Sequence, residues 1–169
     1  MRFLTVLSVV LFSITNSLHA QSSRNDIPIS KLPKDVKAVL VEYINILTSS
    51  ETLDACADNM LKVAGGSLIN EQVDENGTAL SLRRSIQPYS LKKDFQNIKF
   101  YQNPIKITRV NLSSTNGSGY GDSAIAGKVY KIWIGKKSGV AGMPAPITVV
   151  LPTGHARVKT PKITGIGSL

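Results

Sequence analysis

Cysteine is almost missing from this chain: Cys56 is alone among 169 residues. No disulfide can close within one molecule, and zinc sites built on cysteine pairs are excluded. Histidine is equally scarce, with only His19 and His155. A metal would have to rest on carboxylates, and Asp54 with Asp58 offers only an i,i+4 pair of a kind normally solvated, so no metal is expected. Nucleophilic catalysis needs a base oriented beside its nucleophile. His155 follows a turn glycine and Cys56 lies in a helical pattern, where a thiol acts as a small hydrophobe. The chain lacks a G-x-S-x-G elbow and a glycine loop leading through lysine into a helix, so no cofactor is expected either.

Acidic residues are absent beyond Asp122, whereas Lys128, Lys131, Lys136, Lys137, Arg157, Lys159 and Lys162 all follow it. The formal net charge of +9 is therefore concentrated in the C-terminal part. Such a surface attracts acidic glycans, lipid head groups or nucleic acid. Lys128, Lys131, Lys136, Lys137, Arg157 and Lys159 are the polyanion-binding candidates; the alternative is a solvated face that keeps the protein soluble. No stacking aromatics are interleaved with them in a nucleic-acid motif.

Long apolar runs are limited to Phe3–Ile14. This run is too short to cross about 30 Å of hydrocarbon, which takes about 20 residues. Arg2 precedes it, Thr15–Ser17 follow, and Leu18-His19-Ala20 end it, which is the pattern of a cleavable export signal over 1–20. Leu18 is larger than the usual residue there, so the cut can fall a few residues away. The expectation is an exported protein, periplasmic or secreted, with no integral membrane anchor after cleavage. The low cysteine count favours a bacterial host. Residues 21–32 read as a flexible lead-in and 33–169 as a single domain, long enough to bury a core without staples. The triplets at Asn76, Asn111 and Asn116 would accept glycans only in a eukaryotic secretory pathway.

Two helices are expected first. Val36, Val39, Leu40, Tyr43, Ile44 and Leu47 recur at helical spacing, with Ser30 or Pro33 as the start. Leu53, Cys56, Ala57, Met60, Leu61 and Ala64 form a second stripe, capped by Thr48, Ser49 or Ser50 and ended by Gly65-Gly66. From Ser67 the pattern turns to short extended segments. Asn76-Gly77 signals a tight turn between Ser67–Val73 and Thr78–Arg84. Pro88 makes Ile86–Leu91 irregular, and Asp94–Tyr101 reads as extended. Ile105–Leu112 slips phase after Ile107, as a bulge would cause. Ala124–Ile134 is the longest strand candidate, with a possible bulge at Gly127. Ile147–Leu151, His155–Val158 and Ile163–Ile166 complete the sheet.

The expected class is α+β, an N-terminal helical hairpin packed on a bent antiparallel sheet. The element order over Pro33–Ile166 resembles the nuclear transport factor two-like cone fold, with a cystatin-like sheet around one helix as the alternative. The resemblance implies a pocket between helices and sheet, and a first-helix tyrosine, here Tyr43. The acid positions of cone-fold isomerases do not match.

Within such a pocket Asp94, beside Lys92 and Lys93, could act as a base near Tyr43 and Tyr101. Trp133 would be core or a ligand platform, since both faces of its strand carry apolar bulk. Tyr43, Asp94, Tyr101 and Trp133 are the ligand-binding candidates. Ala141–Pro146 is an apolar loop of the kind that can mark a contact surface. The functional expectation is a non-catalytic binding or accessory module for an apolar small molecule, an acidic polymer or another exported protein. A pocket enzyme and a polyanion binder are the alternatives.

Overall fold

A computed structural model describes residues 25–70, 72–114 and 117–169. The export signal expected over 1–20 lies outside them, as do the first four residues of the lead-in and Asn116.

Pro33 precedes the first helix, α1 (Lys34–Ser49), at φ −55°, where its missing N–H costs nothing. Its buried face is the expected stripe plus Ile46. A short extended link leads to α2 (Leu53–Met60). The cap is Thr52, not a residue of 48–50: its Oγ1 accepts from the Ala55 amide at 3.1 Å. Thr48 instead donates to the Ile44 carbonyl of its own helix. α2 also stops four residues earlier than its apolar pattern, because Val63–Gly65 are drawn into pairing with the last strand. The Gly65 amide donates to Ile163 O, and the Ile163 amide to Val63 O.

The segment expected to form a hairpin about Asn76-Gly77 makes the turn, with Gly77 at φ +76°. Asp74 Oδ1 accepts from the Asn76 and Thr78 amides there. The two arms meet through isolated bridges, Ile69 to Leu82 and Val73 to Ala79, and through hydrogen bonds such as Asn70 N to Ser81 O and Arg83 N to Leu68 O, without forming a named strand pair. Residues Ile86–Leu91 form a π-helical turn that runs into α3 (Lys92–Asn97). This corrects the extended reading of Asp94–Tyr101. Leu91, Asp94 and Ile98 share one buried helix face, and the aspartate in the middle disguised the apolar stripe.

Four antiparallel strands follow in the order β1 (Ile107–Ser114), β2 (Gly127–Ile134), β3 (Ala145–Pro152) and β4 (Lys162–Gly165). The class is α+β. The β1–β2 register shifts between Ile107 and Arg109, where the sequence slipped phase, and again between Leu112 and Ser114. Gly127 begins β2 at φ +158°; a Cβ there would lie 2.1 Å from Leu151 O, so only glycine fits. His155–Val158 is not a strand. The imidazole Nδ1 of His155 accepts from the Arg157 and Val158 amides, which turns the chain away from the sheet.

The inner sheet face, with Val110, Tyr130, Ile132, Ile134, Ile147, Val149 and Ile163, packs on the helices in one hydrophobic cluster. Each fully buried large apolar side chain there contributes about 1.5–3 kcal/mol. A smaller cluster of Ile125, Val129, Val150 and Val158 covers one end of the outer face. Both sheet edges are protected. Val63–Gly65 lie along β4, and the lead-in pairs with β1 through Ile27 N to Val110 O and Leu112 N to Asn25 O. From Asn25 the lead-in is thus fastened, because the β1 edge offers backbone partners.

Candidate functional site

Three of the four expected ligand-binding residues do come together, but inside the core. Tyr43 projects from the buried face of α1 and donates its hydroxyl to Asp94 Oδ2 at 2.8 Å. The Gly167 amide donates to the same oxygen at 2.9 Å, and the Leu169 amide to Asp94 Oδ1 at 3.0 Å. Asp94 is 0% exposed. Burial raises its carboxyl above the ordinary carboxylate value, opposed by the Gly167, Tyr43 and Leu169 hydrogen bonds and by Lys93. Tyr43 is pushed well above the ordinary tyrosine value, by burial first and then by the Asp94 charge. Tyr101, also buried, is raised by the same two causes.

Both carboxylate oxygens therefore serve the protein's own chain end. Two neighbours on α3 assist: Lys93 Nζ donates to Gly167 O at 3.0 Å and Asn97 Nδ2 to Leu169 O at 2.9 Å. The cluster anchors the C-terminal tail. Tyr43, Asp94 and Tyr101 are all buried. Five grooves are prominent on the described surface, one of about 890 Å3 lined by Asn70, Gln72, Arg83, Arg84, Ser85, Pro88 and Tyr89. Tyr43, Asp94, Tyr101 and Trp133 line none of these five.

Trp133 lies half-buried on the outer sheet face, away from the other three. The Arg109 guanidinium sits 4.6 Å from its ring centroid. Arg109 is held in turn by Asp26 of the lead-in, its Nε 3.0 Å from both carboxylate oxygens. A cation of the protein's own thus occupies the ring face that a ligand would use. The chain offered no signal for this, because Asp26, Arg109 and Trp133 are far apart in sequence.

The six basic candidates fall in three places: after β3, along β2, and in the loop between β2 and β3. Arg157 and Lys159 follow β3 and are exposed, Arg157 donating to Val73 O and Lys159 to His155 O. Lys128 and Lys131 are exposed along β2. Lys136 and Lys137 lie at the opposite end, in the loop between β2 and β3. This end also collects Lys99 and Lys106, which the sequence did not single out. The Lys137 amide donates to Phe100 O at 2.9 Å, and the Gly135 amide to Lys106 O at 2.8 Å. Gln102 Nε2 donates to Lys136 O. The segments 98–106 and 134–146 are thereby stitched into one surface.

No acidic residue occurs in either segment. Lys99, Lys106 and Lys137 are exposed, and Lys136 is half-buried with Nζ on Ala141 O at 2.9 Å. Beside them Phe100 is 40% and Met143 86% exposed. Lys99 Nζ lies 5.2 Å from the centre of the Phe100 ring. Phe100 escaped the sequence reading because it was assigned to a strand with Phe95 and Ile98, although Met143 lies in the loop already marked as a contact candidate.

Among the described residues, no three His, Cys, Asp or Glu side chains cluster closely enough to hold a metal ion. No helix among them is long and apolar enough to cross a membrane. No family model, curated protein or solved structure matches the chain.

Proposed function

We propose that this is an exported, non-catalytic binding module that recognises an anionic partner through the lysine-bearing end of its sheet. One observation carries the reading: Lys99, Lys106, Lys136 and Lys137 converge from two segments that contain no acid. Cations concentrated on acid-free segments raise the local potential and draw in polyanions. The buried cluster supports the non-catalytic part. Asp94, the candidate base, is 0% exposed and already accepts from Tyr43, Gly167 and Leu169. Export rests on the apolar run and its flanks over Met1–Ala20.

The test is retention on immobilised heparin. The protein should be retained at low salt and released as salt rises, since the Debye length falls from about 10 Å at 0.1 M to about 3 Å at 1 M. Replacing Lys99, Lys106 and Lys137 together by Ser should abolish most retention. These side chains are exposed and, among the described residues, bond to no backbone carbonyl, so folding is spared. Retention equal to that of a neutral protein of similar size would overturn the reading.

A further inference from the structure

The lysine-bearing end differs from an ordinary polyanion surface in one respect: its centre is apolar. Val140, Ala141, Gly142, Met143 and Pro144 form five consecutive residues without a polar side-chain group. Four of them, Ala141 to Pro144, are exposed. Lys136 Nζ accommodates the Ala141 carbonyl, so that backbone acceptor need not find water. Phe100 is joined to the residue that opens this turn, its carbonyl accepting from the Lys137 amide at 2.9 Å, while Lys137 O in turn accepts from the Val140 amide. Tyr101 and Lys136 form a β-bridge next to it, which holds the two segments together.

We propose that this end docks on an anionic lipid surface, with Met143 and Phe100 entering the interface and Lys99, Lys106 and Lys137 meeting the head groups. The proposal rests on the anion-binding reading above and names its partner. A soluble acidic polymer would satisfy the lysines but leave Met143 and Phe100 in water. An acidic lipid surface satisfies both, because apolar burial and attraction to anionic head groups act together at a membrane interface. Methionine suits such a role: it is unbranched, flexible and able to fit irregular apolar surroundings. The loop is also held on a rigid base. The Val140 amide donates to Lys137 O, and Gln102 fastens Lys136 from below.

The experiment compares the full mature chain with three variants on two probes. One probe is vesicles of phosphatidylcholine containing about one-third phosphatidylglycerol, set against pure phosphatidylcholine; the other is immobilised heparin. The parent should sediment with the anionic vesicles and not with the neutral ones. M143S, and more strongly M143S with F100S, should lose vesicle partitioning about tenfold or more while heparin retention is unchanged. K99S/K106S/K137S should lose both. Met143 is 86% exposed, so M143S alone keeps the test valid if Phe100 contributes to folding. Heparin retention with no vesicle binding, or vesicle binding indifferent to M143S and F100S, overturns the lipid proposal and leaves the anion-binding reading standing. Absence of both kinds of binding overturns both.

Discussion

The Tyr43 hydroxyl and the Asp94 carboxylate meet at 2.8 Å in the centre of the protein, 51 residues apart in sequence. The pair has the chemistry of an active site and the surroundings of a core. All three groups that touch the carboxylate are donors, two of them backbone amides of the last residues of the chain. The consequence is structural: α1, α3 and the C-terminal tail are tied at one point.

Removing that point should be costly. Asp94→Asn keeps an acceptor for Tyr43 and Gly167 but turns its NH2 toward the Leu169 amide, another donor. One buried donor left without a partner costs about 1–3 kcal/mol. Asp94→Ala strands all three and should destabilise more. Deleting Gly167–Leu169 removes two of the three donors and the buried Leu169 side chain, and should also destabilise. Chemical denaturation of the three variants checks this order; an Asp94→Ala protein as stable as the parent would show that the anchor carries no weight.

The same carboxyl sets a pH dependence. Burial raises its folded-state value above the ordinary 3.8, so the folded chain holds this proton more tightly than the unfolded one. Stability from this linkage is fully present below about pH 3.9 and is lost as pH rises through the raised folded value. The stability of the parent minus that of Asp94→Asn should therefore shrink across that window. Denaturation curves from acid to neutral pH measure it. A difference that grows with pH would mean that the three donors outweigh burial.

Lys162 carries the opposite sign. It is buried on β4, where its Nζ donates to Lys62 O at 2.8 Å, and burial lowers its value from the ordinary 10.5. The folded chain releases this proton more easily than the unfolded one, so stability is gained as pH rises through the lowered value towards 10.5. Asp74 and Glu42 oppose that shift without cancelling it, and a charge that burial disfavours in this way is often replaceable by a hydrophobe of similar shape. Lys162→Met should thus match or exceed the parent near neutral pH, and the parent should close the gap as the solution becomes alkaline. Thermal melts of both proteins over that range are the measurement; tyrosine titration is common to both and cancels. A severe loss in Lys162→Met at every pH would reveal a dependence on the Lys62 contact.

Cys56 should be inert in the folded state. It is fully buried in α2, and burial is the main cause that pushes its thiol up to about 11. Thiolate, not thiol, is the reactive form. Labelling by a thiol reagent at neutral pH should track unfolding and yield one modified group per chain only in denaturant. Fast labelling of native protein would place the sulfur at the surface.

Much of the fold was legible because its signals are local. The α1 stripe, the turn at Asn76-Gly77 and the phase slip after Ile107 each lie within a few residues, and the structure places an element or a register shift at each. What was illegible depends on partners distant in sequence. α3 was read as extended because Asp94 stands where its helical stripe needs an apolar residue, and it is tolerated only through Tyr43 and the chain end. α2 stops early because Val63–Gly65 serve β4, about 100 residues later. The lysine-bearing end was half visible: Lys136, Lys137 and the Ala141–Pro146 loop are contiguous, whereas Lys99, Phe100 and Lys106 join them only through backbone pairing.

Trp133 gives the protein a built-in reporter, since it is the sole tryptophan. Arg109 covers its ring at 4.6 Å and is fixed there by Asp26. A cation over an indole at a partly exposed position contributes about 0.5–1 kcal/mol, and the ion pair adds little more because Arg109 is substantially solvated. Arg109→Ala should therefore leave the fold intact but uncover the ring, shifting tryptophan emission to longer wavelength and increasing quenching by iodide or acrylamide. Asp26→Asn should produce a weaker version of the same change, because Arg109 would lose its charged tether while the side chain stays. If Arg109→Ala leaves emission and quenching untouched, the ring is shielded by the surrounding strands and the lead-in has no part in covering it.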